Sequence, residues 1–263
     1  MRRFEILPSP RLRQDIQSIW AIEGVSLITA YEAILPDPYR ELVFSCGTLA
    51  TLEVAARARY KLPHIFLNDL QSTSVPLRTK EPSCLLGVRF FPWAVQSFFG
   101  PQTPILDTSL RSLSSTWQAL AAQIAYTVNH ESVEAAMHAL DTFLNAQYPA
   151  PQSDGLIVSV VRELLTVQDI PPKIQEIAVD VSLSVSQFER RFKQVTGVPP
   201  KTLTRLIRFE AVCDAIGQNP QQSLAALAAA FGYADQAHFI RDFQSLASET
   251  PTTFARRVRN GSS

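Results

Sequence analysis

Methionine and cysteine are scarce here, with two and three among 263 residues. Cys46, Cys84 and Cys213 are odd in number and far apart along the chain, so they offer neither a disulfide framework nor metal-site spacing. Free structural cysteines in a reducing cytoplasm are the expectation. Histidine is nearly as rare, and His64, His130, His138 and His238 never fall into the H-E-x-x-H spacing that holds zinc. A G-x-S-x-G nucleophile turn and a phosphate-cradling glycine loop are also missing. These absences argue against an enzyme and against a cofactor or metal. No apolar run approaches the ~18 residues of a membrane span. The opening Met1-Arg-Arg-Phe-Glu5 lacks the sustained apolar run of a secretory signal, so a cytoplasmic location without membrane contact is expected. Charge of one sign is lacking too. Lys and Arg number 24, Asp and Glu 24, and residues 151–263 carry twelve basic against eleven acidic side chains.

What the chain does contain is one statement made twice. Between Lys173 and Arg259, two stretches each place an apolar-alanine pair before two phenylalanines four apart, with a proline eight residues beyond the second. The first is Ile177-Ala178, Phe188, Phe192, Gly197 and Pro200; the second is Leu227-Ala228, Phe239, Phe243 and Pro251. Ile174, Ile177 and Ala178 repeat at helical spacing, and alanine lets a second helix approach closely. Ser184 or Ser186 can cap that second helix, and Gly197 can end it. Each copy therefore reads as a helix-turn-helix with the phenylalanines inside. At 100° per residue, Ser186, Arg190 and Lys193 lie opposite Phe188 and Phe192, and Ala237, Arg241 and Gln244 opposite Phe239 and Phe243. Pro200 to Ala215 reads as the helix joining the copies. Cations are grouped as Arg190, Arg191 and Lys193; Lys201, Arg205 and Arg208; and Arg256, Arg257 and Arg259. One such group alone is commonly a solvated helix face; three on a doubled scaffold favour a phosphate-facing surface.

Residues 155–259 resemble the tandem helix-turn-helix domain of the AraC-type transcriptional regulators. The resemblance rests on Ile177-Ala178 with Gly197 and Pro200, on Arg208-Phe-Glu210, and on Leu227-Ala228, Phe231-Gly-Tyr-Ala-Asp-Gln236, Phe239, Phe243 and Pro251. Ser248 stands where the family usually has glycine, and Val212 replaces an expected alanine. The resemblance implies sequence-specific binding of double-stranded DNA by both second helices in the major groove, and contact with RNA polymerase. Within it, Arg190 and Arg241 are candidates for bidentate contact with guanine, each with a plain phosphate contact as the alternative. Ser186, Gln236 and His238 lie near helix starts and could meet bases or phosphates, Ser186 being equally a cap. Gln187 and Glu189 flank the reading face, where Glu189 is also an intrahelical partner for Lys193. Lys193 and Gln244 complete the outward faces.

The first hundred residues hold many short strand candidates. Ala30–Leu35, Glu41–Ser45, Ala50–Ala56, His64–Leu67 and Cys84–Phe91 read as strands, whereas 11–22 reads as a short helix. This half resembles the poorly characterised N-terminal domain of one AraC-type branch through Ser18-Ile-Trp20, Leu35-Pro-Asp37, Glu41-Leu-Val-Phe44 and Gly87-Val-Arg-Phe90-Phe-Pro92. It implies a cupin-like β-barrel. Glu41 and Arg89 could hold a small-molecule effector at the barrel mouth, lined by Trp93 and Tyr31; a structural ion pair is the alternative. From Leu106 to Tyr148, apolar residues at helical spacing predict two helices forming a hairpin, which either packs on its own domain or makes a homodimer. The expected class is therefore α+β. A sensor domain spans 1–150, with the barrel to about 105 and the hairpin over about 110–148, and an all-α DNA-binding domain spans 151–263. A protein-interaction module on the same fold is the alternative function, motivated by the near-neutral charge.

Overall fold

The computed structural model describes residues 2–25, 33–46, 51–54, 58–61, 64–68, 75–78, 83–99, 115–148, 154–167 and 170–261. The chain divides into two compact units, one drawn mainly from 1–152 and the other mainly from 153–263.

The first unit is mixed. Strands β1 (Arg2–Ile6), β2 (Ile16–Val25), β3 (Ala33–Ile34), β4 (Arg40–Cys46), β5 (Thr51–Val54), β6 (Ala58–Lys61), β7 (Ile65–Asn68), β8 (Val75–Arg78) and β9 (Ser83–Phe90) form two antiparallel sheets. One has five strands in the order β1-β2-β9-β4-β7, and the other four in the order β3-β8-β5-β6. Among the described residues the ladders stop at two sheets, where a closed barrel was expected. The expected helix at 11–22 is also replaced. Residues 10–15 make a turn, and β2 follows, hydrogen-bonded to β1 on one side and β9 on the other. The i, i+3 spacing of Ile16 and Ile19 imitates a helix, but β-branched side chains fit a pleated strand better and two neighbouring strands satisfy its backbone.

On one face of the large sheet, Ile19, Ala21, Leu42, Phe44, Leu86, Val88 and Phe90 are buried. Helices α2 (Ser115–His130) and α3 (Val133–Ala146) contact this sheet at β4 and β2 and pack on each other. Trp117, Leu120, Ile124, Val133, Met137, Leu140 and Leu144 supply their buried sides, as helical spacing predicts. A short α1 (Val95–Phe99) precedes them. Leu110, Leu113 and the linker stretch 149–153 lie outside the described residues.

The second unit is helical: α4 (Gly155–Leu164), α5 (Ile174–Asp180), α6 (Val185–Thr196), α7 (Pro200–Gln218), α8 (Leu224–Ala230), α9 (Gln236–Ala247) and α10 (Pro251–Gly261). The doubled motif is doubled in atomic detail. Phe188, Phe192 and Pro200 recur as Phe239, Phe243 and Pro251, fifty-one positions on. All four phenylalanines are fully buried. In the first turn Val181 N–H donates to Ile177 O and Leu183 N–H to Ala178 O; in the second, Phe231 N–H donates to Leu227 O and Tyr233 N–H to Ala228 O. Left-handed residues sit at both turns, Ser182 at φ 56° and Gly232 at φ 68°. They sit at the ends of α6 and α9 as well, Gly197 at φ 80° and Ser248 at φ 59°. Ser248 thus adopts the conformation that glycine supplies in the first copy, so α9 ends as α6 does.

Candidate nucleic-acid interface

The second helix of each copy, α6 and α9, is fixed at its start by a side-chain cap. Ser184 caps α6: its hydroxyl accepts from Gln187 N–H at 3.2 Å, while Gln187 Oε1 accepts from Ser184 N–H at 3.1 Å. This reciprocal box spends the Gln187 carbonyl on the cap and leaves Ser186, two residues after Ser184, exposed and free of that task. Asp235 caps α9 by accepting from His238 N–H at 2.6 Å. The His238 ring stands edge-on to Tyr233, with centroids 5.4 Å apart.

A second set of contacts fixes how each helix is turned. Arg191 on α6 grips Asp154 with a fork, Nε to Oδ2 at 2.6 Å and Nη2 to Oδ1 at 2.8 Å. The guanidinium holds the Asp154 carboxyl below the usual carboxylate range. In the second copy Asp242 on α9 accepts from Arg205 Nε at 2.7 Å and from the Tyr233 hydroxyl at 3.2 Å. Burial, then the charge of Asp242, pushes the Tyr233 phenol above its ordinary range. Both ion pairs join residues 37 apart in sequence. Asp154 corresponds to Arg205 and Arg191 to Asp242, so the device is repeated with its charges exchanged.

These pairs sort the cations that composition could only group. Arg191 belongs to Asp154, Arg205 to Asp242, and Arg257 to Glu249 at 2.7 Å. The Arg208 guanidinium lies 5.1 Å from the Tyr233 ring centroid. Among the described residues, the side chains of Arg190, Lys193 and Arg241 make no hydrogen bond or ion pair, and all three residues are exposed. Arg190 and Arg241 are equivalent positions, each two residues past the first buried phenylalanine of its helix. Glu189, Gln236, His238 and Gln244 are exposed beside them, Glu189 without a bond to Lys193. Arg256 and Arg259 edge a cleft of about 400 Å³ between α7, α8 and α10. Asp154, Arg205 and Asp242 escaped the sequence reading as positioning residues, although the recurring separation of 37 was there to be found.

In the first unit, Glu41 and Arg89 meet across the large sheet. They are register partners on β4 and β9, with Arg89 Nε 3.5 Å from Glu41 Oε1. Glu41 also accepts from Trp20 Nε1 at 3.2 Å, and Trp20 lies over Gly87, whose lack of a side chain makes room for the indole. Arg89 stands over the Tyr39 ring at 4.6 Å. Trp93 is a core residue: it is buried, stacked on Phe91 at 4.7 Å, and donates Nε1–H to Gln14 O and Asp15 Oδ1. Tyr31 lies outside the described residues. Among the described residues, no group of three His, Cys, Asp or Glu side chains is placed to hold a metal ion, and no helix is long and apolar enough to cross a membrane.

Residues 177–257 match a helix-turn-helix domain family, and residues 4–109 match a domain family of unknown function, DUF6597. The MmsAB operon regulatory protein of Pseudomonas aeruginosa is 29% identical over 89 residues. That match takes in 34% of this chain and 29% of the relative, so the chain spans less than a third of the curated relative's length. Among solved structures, ToxT from Vibrio cholerae O395 aligns over 97% of this chain and 96% of its own, at 13% identity and a TM-score of 0.47. A transcriptional regulator from Chromobacterium violaceum, one of the AraC-type DNA-binding domain-containing proteins, aligns over 40% of this chain and 92% of its own, at 23% identity and a TM-score of 0.36. Residues 177–257 thus form a helix-turn-helix domain of the AraC type, and residues 4–109 a domain of the DUF6597 family.

Proposed function

We propose that this chain is a sequence-specific DNA-binding transcriptional regulator whose α6 and α9 read two major-groove segments of double-stranded DNA. One observation carries the reading. At equivalent positions of two copies, Arg190 and Arg241 are exposed and unpaired, while the cations beside them are tied into the fold. An unpaired arginine keeps all its donors for a guanine edge or a phosphate. Lys193 and Gln244 sit one turn further along the same faces, and Ser186, Gln187, Glu189, Gln236 and His238 surround them near the helix starts.

In this reading residues 151–263 are the DNA-binding domain and residues 1–150 a cupin-like sensor that answers to a small molecule or a partner protein. Glu41 and Arg89 are its polar centre. Homodimerisation and contact with RNA polymerase raise the modest affinity expected of twelve cations against eleven anions in residues 151–263. The work is cytoplasmic and involves no catalysis. The near-neutral balance also favours a second reading, a protein-interaction module with residual DNA binding.

Selection of genomic DNA fragments by the purified chain at two salt concentrations separates these readings. Two short enriched blocks about one helical turn apart, weakening steeply with salt, support the regulator. Absence of any enriched sequence at either salt, with binding that ignores salt, favours the interaction module.

A further inference from the structure

Two of the three cysteines, remote in sequence, stand side by side in the sheet. Cys46 on β4 and Cys84 on β9 are antiparallel register partners, buried at 3% and 6% exposure. Register partners project from the same face. Their Cα atoms lie about 4.5 to 5.5 Å apart in either kind of antiparallel pair, inside the range of about 4.4 to 6.8 Å that a disulfide spans. Each thiol is shifted chiefly by the other, Cys84 down from the ordinary thiol range and Cys46 up. Cys84, whose Sγ lies 3.9 Å from Leu85 O, is the sulfur of the two that more readily carries charge. Cys46 is the last residue of β4 and Cys84 the second of β9. Strand ends open at lower free energy than strand centres, which admits a small reagent without unfolding the sheet. Cys213 belongs to the other unit, half-buried, and burial pushes its thiol up.

We propose that Cys46 and Cys84 form a reversible dithiol–disulfide pair oxidised by small hydroperoxides. The Cys84 thiolate attacks the terminal oxygen of the peroxide and the O–O bond breaks. The leaving alkoxide takes up a proton to become an alcohol, or water when hydrogen peroxide reacts. Cys84 is then a sulfenic acid. The sulfur of Cys46 attacks that sulfur, the S–O bond breaks, and the hydroxyl leaves as water with the Cys46 proton. In sum, two thiols and one hydroperoxide give one disulfide, one alcohol and one water. The bond staples β4 to β9, the two strands that also pair Glu41 with Arg89.

The test uses the full chain, reduced, freed of reductant and titrated with hydrogen peroxide. Free thiols are counted after denaturation, and peptides are mapped by mass spectrometry. The free-thiol count falls from three to one, with a Cys46–Cys84 cross-linked peptide lighter by two hydrogens. Dithiothreitol restores all three thiols. A Cys213→Ser chain, whose sheet is untouched, falls from two thiols to none, and amide exchange in β4 and β9 slows on oxidation. Persistent thiols at Cys46 and Cys84, separate sulfinic acids, or cross-links only between chains overturn the proposal.

Discussion

Replacing Arg190 or Arg241 with alanine separates reading from folding. Neither guanidinium has a partner within the described residues, and both are exposed, so their removal changes stability by no more than about 0.5 kcal/mol. Each bidentate contact to guanine contributes about 1–3 kcal/mol of discrimination, which is a loss of about 5- to 150-fold in specific affinity. Arg205→Ala provides the contrast. Arg205 and Asp242 are 36% and 15% exposed at their side chains, and the variant leaves that half-buried carboxylate with the Tyr233 hydroxyl as its remaining cross-helix donor. It costs about 1 kcal/mol of stability, the partly solvated arginine limiting the effect. Fluorescence anisotropy on the selected sequence and on scrambled DNA, together with thermal melting, gives both quantities for each variant. Arg190→Ala and Arg241→Ala should lose affinity for the selected sequence alone and melt like the parent. Equal losses on both DNAs would make these arginines phosphate anchors, and unchanged binding with a lowered melting point would refute the assignment of a reading face.

Three further outcomes follow from local geometry. Ser248→Gly relieves a non-glycine residue at φ 59° and should raise stability by about 1 kcal/mol, seen as an increase of a few degrees in melting temperature; a decrease would show that the serine side chain contributes more than its strain. Gly87→Ala puts a methyl 2.4 Å from the Trp20 ring, so it must displace the indole and disturb its bond to Glu41, at a cost of about 1–3 kcal/mol and with a changed tryptophan emission. Asp154 is held down by Arg191, so its contribution to stability is complete above the unfolded pKa of about 4 and is lost as pH falls through the lower folded value. Melting curves between pH 6 and about pH 2 should therefore lose this component in the parent and lack it in Asp154→Asn.

The helical half was legible because its signals are local. Phenylalanines four apart, a glycine at a helix end and a proline after it all lie within one or two turns of what they specify. Even so, Pro251 reads as the end of α9 and conceals that it begins α10, since proline is as welcome at a first helical position as it is unwelcome inside. Helix α4, absent from the sequence reading, carries the same kind of local signal, with Ile157, Val160, Val161 and Leu164 on one face. The β half was harder because a strand is decided by neighbours far away in sequence. Nothing within 11–22 says that β1 will lie on one side and β9 on the other, and only that pairing turns the spacing of Ile16 and Ile19 into part of a pleat. The same non-local pairing brings Cys46 to Cys84 and Glu41 to Arg89, so one structural signal was hidden and the other guessed.

The exchanged ion pairs explain why a nearly neutral domain can still present a specific cationic face. If both copies used arginine on the reading helix and aspartate behind it, α9 would carry a cation at 242 as α6 does at 191. Instead the second copy puts the acid on the reading helix and the base on α7. The orientation of each helix about its axis is then set by a carboxylate–guanidinium pair in both copies. The charge left for a partner is set separately, by Arg190, Lys193 and Arg241. Net charge counts paired and unpaired cations alike, and among the twelve cations in residues 151–263, Arg191, Arg205, Arg208 and Arg257 are bonded to or stacked on the fold itself. Reversing the second pair, Arg205→Asp with Asp242→Arg, would copy the polarity of the first without changing the net charge. It should keep both the melting point and the DNA sequence that α9 selects near those of the parent, because the new guanidinium is held by the new carboxylate as Arg191 is by Asp154, and Arg241 is left as it was.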